Sequence, residues 1–292
     1  LTKEKNDIYH INGGIFRMTF LKQLSPFQKL FLVFFIIASF VSFFIPLMMG
    51  QEDFTGLFGI ISIIGLVSAL SGVLASIFQV RGRAAYYLWF LLNTITYGII
   101  CLHEKLYGQF IQNIIILLPL EVAGFIAWSK HINGSKENKL TIRKFTKKNW
   151  IVAIVLAVIA WVAYAAFLKY LPNIFSSLLG LNISADPQFK LDALTSVMTI
   201  FAVYITSKRY IEQWYFWLVA NAGIIIFIKS IIESGVFSMS DLSGAIVLGQ
   251  YGVISIYGLY HWMKMYKEQK ANEVISEEEV ISSGQSVSVG RA

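Results

Sequence analysis

Charged side chains are scarce in this chain of 292 residues, of which Asp, Glu, Lys and Arg together make up only 14%. An average soluble domain contains about 25% of these residues. Hydrophobic residues reach 56%, and the mean hydropathy is +0.63. The shortage of charge excludes the ordinary soluble globular classes and predicts that the lipid bilayer is the solvent of this protein.

Cysteine is almost absent as well, since Cys101 is the single one. A lone cysteine inside an apolar run excludes a disulfide framework and a cysteine-based metal site. The sequence also lacks a GxxxxGK[ST] phosphate loop, an HExxH zinc motif and a GxSxG nucleophile elbow. We therefore expect no cofactor, no ATP-driven pump and no enzymatic activity.

Long apolar runs are what the chain does contain. A helix needs ~20 residues to cross ~30 Å of hydrocarbon. Eight runs approach that length, at roughly 30–49, 55–78, 85–102, 108–129, 151–170, 191–207, 213–233 and 241–263. A transmembrane β-barrel would show alternating rather than continuous apolar residues. The pattern predicts an all-α integral membrane protein with eight transmembrane helices.

The basic residues fall almost entirely on one side of these runs. Of the 24 Lys and Arg, the other side holds only Lys105, Lys169, Lys190 and Lys229. Cytoplasmic loops carry the excess of basic residues in membrane proteins. The distribution therefore predicts that both termini are cytoplasmic, with a segment 1–29 before the first helix and a tail 264–292 after the last.

The two ends of the chain and the basic loops give three smaller expectations. The chain begins with Leu1, and Met18 is a candidate native start. The acidic and Ser-rich tail from Glu268 onward is predicted to be disordered. The basic loops lack the aromatic-interleaved motifs of nucleic-acid readers, so no nucleic-acid partner is expected.

An internal repeat organises the helices. The segment Tyr86–Asn93 (YYLWFLLN) matches Trp214–Asn221 (WYFWLVAN) at an offset of 128 positions, with Arg81 over Arg209 and Ser68 over Ser196. The third helices end alike, in IAWSK at 126–130 and YHWMK at 260–264. Chance matching of aromatic-rich helices is the alternative.

The repeat predicts two parallel three-helix bundles, 55–129 and 191–263, because a single linker helix at 151–170 brings both into the membrane in the same direction. Helix 30–49 is then an extra N-terminal helix. A path for solute would run between the two bundles.

The repeated motifs carry the most informative polar residues. The matched sets Tyr86, Trp89, Asn93 and Trp214, Trp217, Asn221 each share one helical face at spacings i, i+3, i+7. An amide inside hydrocarbon needs hydrogen-bond partners, so both Asn side chains are expected to face the bundle interior. The alternatives are an interfacial aromatic belt and Asn residues that only join helices.

Other polar residues at membrane depth complete the candidate site. Gln250, Tyr251, Gln112 and Tyr204 are further candidate ligand contacts. Glu121 is the acidic residue well inside a run, and it could bind a proton, pair with a cationic substrate, or reach toward the cytoplasmic surface as a structural acceptor. No Lys or Arg lies near the midplane, which favours an unphosphorylated, uncharged or cationic solute with a planar ring.

The chain resembles the PnuC family of bacterial vitamin transporters over roughly residues 55–264. The resemblance is carried by the WxxWxxxN motif of Trp214, Trp217 and Asn221, set among eight predicted helices whose basic loops are cytoplasmic. In the first repeat Tyr86 stands where the motif has its first Trp. The resemblance implies a SWEET-like fold of three plus one plus three helices in the bacterial inner membrane. It further implies facilitated diffusion of nicotinamide riboside by alternating access, with trapping by a cytoplasmic kinase that phosphorylates the riboside.

Several alternatives remain open from the sequence. Relatives in the same family carry thiamine or riboflavin, and Glu121 would allow a proton-coupled mechanism. A different class of function is a non-transporting membrane receptor or assembly subunit, for which the basic loop 130–149 would be the docking surface. A homo-oligomer is also compatible with the sequence.

Overall fold

The computed structural model describes residues 22–48, 50, 53–134, 140–186, 188–221 and 239–282, without the side chains of 239–248 and 277–282. Its helices are α1 (Pro26–Met48), α2 (Phe54–Leu57), α3 (Ile60–Val80), α4 (Ala85–His103), α5 (Tyr107–Gly134), α6 (Lys147–Leu179), α7 (Phe189–Ser207), α8 (Gln213–Ala220) and α9 (Met239–Ser282). Within α5 the stretch Ile111–Leu117 is π-helical. The described residues contain no β-strand beyond one isolated bridge between Arg143 and Tyr210.

Six of the described helices, namely α1, α3, α4, α5, α6 and α7, are long and apolar enough to cross a membrane. The prediction of an all-helical, multi-pass membrane chain is confirmed. The seventh predicted run, 213–233, lies only partly in α8, because residues 222–238 fall outside the described part of the chain. The count of eight spans stays a prediction.

The predicted disorder from Glu268 onward is wrong as far as Ser282, because α9 continues as a helix to that residue. Ion pairs three and four residues apart stabilise such a helix, and here Lys270 Nζ lies 2.6 Å from a Glu273 carboxylate oxygen. The hydrogen bond from Lys270 holds the pKa of Glu273 below its ordinary value. Gln269 anchors the helix further by accepting a 2.8 Å hydrogen bond from the Ile142 backbone N–H.

Six helices form a closed ring of contacts in the order α3, α4, α5, α7, α8, α9 and back to α3. We call α3, α4 and α5 the first triplet and α7, α8 and α9 the second. The third helix of each triplet packs on the first helix of the other. Helix α1 lies against α3 and α9, while α6 lies against α7 and the start of α5. The outer faces of α1 and α6 expose large apolar side chains such as Leu30 and Ile151, as lipid contact requires.

The α3–α4 and α7–α8 turns share one backbone geometry. Gly82 and Arg209 both have left-handed φ angles, 63° and 64°. Their N–H groups donate to Gln79 O at 3.0 Å and to Thr206 O at 2.9 Å, respectively. These equivalent residues are 127 positions apart, and the burial pattern of α4 follows that of α8 at the same spacing. The offset of 128 inferred from the letters is therefore wrong by one residue.

The two turns lie at the same end of the helix ring, where Arg81, Arg83, Lys208 and Arg209 are found. We refer to this end as the basic end. The loop before α6 is tied to it, since Arg143 N–H donates to Arg209 O at 2.9 Å and Ile211 N–H donates to Arg143 O at 3.0 Å. This pairing fixes the linker segment against the second triplet.

Candidate functional site

A small cavity lies inside the helix ring. Its lining comes from both triplets: Ala75, Ser76, Gln79, Tyr86 and Phe90 from α3 and α4, and Trp214, Trp217, Tyr251, Ile254 and Ser255 from α8 and α9. The free space is about 10 Å³, room for about one water molecule. A solute the size of a nucleoside therefore requires the walls to move apart.

Two indole rings form the aromatic wall on the α8 side. Trp214 is 1% exposed and packs edge-on to Trp262 at 6.0 Å, and Trp217 packs edge-on to Phe90 at 6.0 Å. Neither indole N–H has a hydrogen-bond partner among the described residues. A buried donor without a partner costs about 1–3 kcal/mol. Both indoles are thus donors that a polar ligand can satisfy.

Two glycines make room for the aromatic side chains. A Cβ on Gly258 would lie 2.5 Å from the Trp214 ring, and a Cβ on Gly124 would lie 2.6 Å from the Tyr87 ring. These glycines precede Trp262 and Trp128 by four residues, so α5 and α9 share a GxxxW pattern. The pattern was visible in the sequence, but its role depends on which aromatic ring packs against each glycine.

On the side of the cavity nearer the basic end, two tryptophans donate hydrogen bonds from one triplet to the other. Trp128 Nε1 donates to Thr206 O at 2.9 Å, and Trp262 Nε1 donates to Val80 O at 3.0 Å. Their rings lie 6.2 Å apart. Each indole of a third helix is therefore bonded to the end of the first helix in the opposite triplet.

A buried amide pair completes this layer. Gln79 Nε2 donates to Gln213 Oε1 at 3.1 Å, and the same oxygen accepts from Thr206 Oγ1 at 2.5 Å. We call Trp128, Trp262, Gln79, Thr206 and Gln213 the crossed-tryptophan layer. It closes the cavity on the side of the basic end.

The sequence profile of the nicotinamide mononucleotide transporter family matches residues 62–264, which include all ten cavity-lining residues. The chain belongs to this family. Among curated relatives, the nicotinamide riboside transporter PnuC of Neisseria mucosa is 25% identical over 69% of this chain and 72% of its own. PnuC of Haemophilus influenzae is 22% identical over 86% of this chain and 96% of its own.

The solved structures add a relative of the same fold. A crystal structure of the vitamin B3 transporter PnuC superposes with a TM-score of 0.63 at 25% identity, covering 87% of this chain and 97% of the other. The resemblance to the PnuC family drawn from the WxxWxxxN motif is confirmed.

In this member of the family, four of the residues expected at the site line the cavity, namely Tyr86, Trp214, Trp217 and Tyr251. Trp89 is half-buried and lies outside the lining, where Phe90 takes its place. Phe90, and not Trp89, stands 127 positions before Trp217, so the one-residue error in the repeat explains this difference.

The two asparagines occupy unequal positions. Asn93 Nδ2 donates to Ser68 O at 2.8 Å and to Ser68 Oγ at 3.2 Å, which joins α4 to α3. Asn221 is 9% exposed and donates to Trp217 O at 2.8 Å at the end of α8. The residue equivalent to Asn221 is Thr94, which is buried as well.

The remaining candidates are distributed around the bundle. Gln112 accepts a 2.6 Å hydrogen bond from Ser196 Oγ, which joins α5 to α7. Gln250 is 3% exposed, and its Nε2 has no partner among the described residues. Tyr204 is 50% exposed, and the Lys208 ammonium lies 5.6 Å from its ring centre. Tyr204 therefore faces outward from the ring of helices.

Glu121 is fully buried among the helices. Its Oε1 accepts a 2.6 Å hydrogen bond from Thr94 Oγ1, and its Oε2 has no partner among the described residues. The sequence alternative of a structural acceptor that reaches the cytoplasmic surface is therefore wrong about exposure, although the carboxyl group does accept a hydrogen bond. Elsewhere in the described residues no three His, Cys, Asp or Glu side chains form a metal-binding group.

A second, larger cavity of about 230 Å³ lies outside the helix ring, between α6, α7 and α8. Trp150, Trp161 and Phe216 are among its lining residues, and it exposes no polar surface. A site that recognises a polar solute needs placed hydrogen-bonding groups. The smaller inner cavity, with its free indole donors, is therefore the candidate site.

Proposed function

We propose that this protein is a transporter of the bacterial inner membrane that carries nicotinamide riboside. The observation that carries the proposal is the aromatic cavity between the triplets, with the unpartnered indole N–H groups of Trp214 and Trp217. A pyridinium ring suits flat aromatic faces, and ribose or carboxamide oxygens suit buried N–H donors. The names of the curated relatives support the same substrate.

The proposed architecture is three plus one plus three helices with one extra N-terminal helix. The first triplet is α3–α5 within 55–129, the linker is α6 around 151–170, and the second triplet lies within 191–263. The closed ring of contacts and the matching turns of Gly82 and Arg209 support this division. The linker and the extra helix α1 then occupy equivalent places outside the ring.

The proposed mechanism is alternating access between the triplets. The basic end faces the cytoplasm in this proposal, as do both termini, because basic loops stay inside. Release into the cytoplasm requires the Trp128–Thr206 and Trp262–Val80 hydrogen bonds to break. Because each bond joins one triplet to the other, they would open together when the triplets rotate apart.

Transport is proposed to be passive, with phosphorylation of the riboside by a cytoplasmic kinase preventing its return. The sequence offers no nucleotide-binding motif that could drive a pump. Thiamine and riboflavin are the alternative substrates, proton coupling through Glu121 is the alternative mechanism, and a homo-oligomer is compatible with both.

The test is flux in liposomes that contain the purified protein. Labelled nicotinamide riboside should equilibrate across the membrane without a pH or sodium gradient, and faster than the mononucleotide, thiamine or riboflavin. Accumulation that depends on a gradient would contradict the passive mechanism. Binding without flux would instead assign the protein as a receptor or assembly subunit.

A further inference from the structure

The fully buried carboxyl group of Glu121 is not explained by packing alone. Thr94 donates one hydrogen bond to Oε1, and within the described residues Oε2 is unpartnered and no ion pair involves Glu121. A carboxylate removed from water is expensive unless an opposite charge or several donors compensate it. This side chain therefore lacks a compensating group that a ligand could supply.

The equivalence of the two triplets places Glu121 beside the transport path. The pairs Gly124 with Gly258 and Trp128 with Trp262 align α5 with α9. Glu121 then occupies the position of Ser255, which lines the cavity.

Thr94 likewise occupies the position of Asn221 in α8. The Thr94–Glu121 pair is thus the counterpart, in the first triplet, of Asn221 and Ser255 in the second. A cavity open enough for a solute would be flanked by a carboxyl group on one side and by an amide and a hydroxyl group on the other.

A chain of ring contacts links the cavity wall to the helical turn that carries this carboxyl group. Tyr86 lines the cavity, and its ring centre lies 4.6 Å from that of Tyr87, which packs against Gly124, one turn from Glu121 on α5. In the low-dielectric interior of the bundle, an ionised carboxylate acts over longer distances than it would in water. A cation bound in the cavity against Tyr86 would therefore interact with Glu121 without touching it.

We infer that Glu121 is the counter-ion that makes the site select solutes with a delocalised positive charge over neutral rings of the same shape. The inference rests on the proposed function, because it takes the aromatic cavity as the transport site. Thr94 is a positioning residue that orients the carboxyl group. The chemical class of ligand is an N-substituted pyridinium or a similar aromatic cation.

The experiment compares two ligands of nearly equal shape on the purified full chain. Nicotinamide riboside carries the pyridinium charge, whereas its reduced dihydropyridine form is neutral. We expect Glu121→Gln to weaken binding of the charged riboside at least tenfold, about 1.4 kcal/mol. Binding of the neutral form should change less than threefold. The matched variant Thr94→Val keeps the carboxyl group and removes only the hydrogen bond that orients it, so it should lose less of the discrimination than Glu121→Gln does.

The outcomes separate this inference from the proposed function. Wild-type protein that binds neither riboside would overturn the proposed substrate and the inference with it. Equal affinity of the wild-type protein for both forms would overturn the inference alone, whether or not Glu121→Gln folds. Equal loss of both affinities in a folded Glu121→Gln variant would assign Glu121 to packing and also overturn it.

Discussion

The two triplets are alike where they hold each other and different where they face the cavity. Their turns share a left-handed residue, at Gly82 and Arg209, and their third helices share the GxxxW pattern. The cavity wall is unequal, because the first triplet brings Tyr86 and Phe90 while the second brings Trp214 and Trp217. Different side chains on the two sides of the cavity suit a solute that is itself asymmetric. Equivalent contacts at the turns and third helices suit a rotation of one triplet against the other.

The largest expected effect comes from the tryptophans that the letter match paired. Trp217→Ala should weaken riboside binding by about 1–3 kcal/mol, about 5- to 150-fold, which is the value of aromatic stacking on one base. Trp89 does not line the cavity and so has no ligand ring to stack on. Trp89→Ala should therefore leave the affinity within about threefold of the wild-type value. Calorimetric binding to both purified variants measures this. Equal losses would restore the symmetric assignment.

Substitutions of the two asparagines should also differ, one lowering affinity and the other lowering stability. Asn221→Leu is expected to reduce binding by about 1–3 kcal/mol, because it removes the amide hydrogen bond to the backbone oxygen of Trp217, which lines the cavity. Asn93→Leu should mainly lower the melting temperature, since its amide bonds to Ser68. Binding and thermal unfolding measured on the same samples distinguish the two. Unchanged affinity in Asn221→Leu would make this residue a helix cap only.

Alanine substitutions at Gly258 and Gly124 compare the two triplets through the packing of an aromatic ring against each glycine. Gly258→Ala should displace the Trp214 ring and Gly124→Ala the Tyr87 ring, because each Cβ would lie 2.5–2.6 Å from ring atoms. Overpacking of this kind costs about 1–3 kcal/mol of stability. Only Gly258→Ala is expected to weaken binding as well, as Tyr87 does not line the cavity. Ligand-induced quenching of tryptophan fluorescence, together with a melting curve, tests both.

The smallest effect should come from the crossed tryptophans. Trp128→Phe and Trp262→Phe each remove one indole donor, at a cost of about 0.5–1.5 kcal/mol. Trp262→Phe should speed amide exchange at the α3–α4 turn, and Trp128→Phe should do so at the α7–α8 turn, because each bond reaches the opposite triplet. Hydrogen exchange in nanodiscs measures both turns. Faster exchange only in the variant's own triplet would contradict the crossed arrangement.

The sequence predicted the residues of the cavity only in part. Tyr86, Trp214, Trp217 and Tyr251 follow from motif and depth, while Phe90 and Ser255 carry no signal of their own. The four-residue segments YYLW and WYFW match by letter at an offset of 128 and so predict Trp89, yet the hydrogen bonds of the two turns are equivalent at an offset of 127. Because both helices are rich in aromatic residues, their letters match at either offset, and only the backbone geometry distinguishes 127 from 128.

Hydrophobicity and periodicity are local properties, so the sequence by itself determined the membrane class, the apolar helices and the WxxWxxxN motif of the family. Contacts between residues 127 or 134 positions apart depend on how the turns aim the helices, so only the tertiary structure decided them. It alone paired Trp128 and Trp262 across the triplets and buried Glu121 against Thr94. The physical reason is that hydrophobicity specifies which segments enter the bilayer, whereas hydrogen bonds and close packing specify which faces meet there.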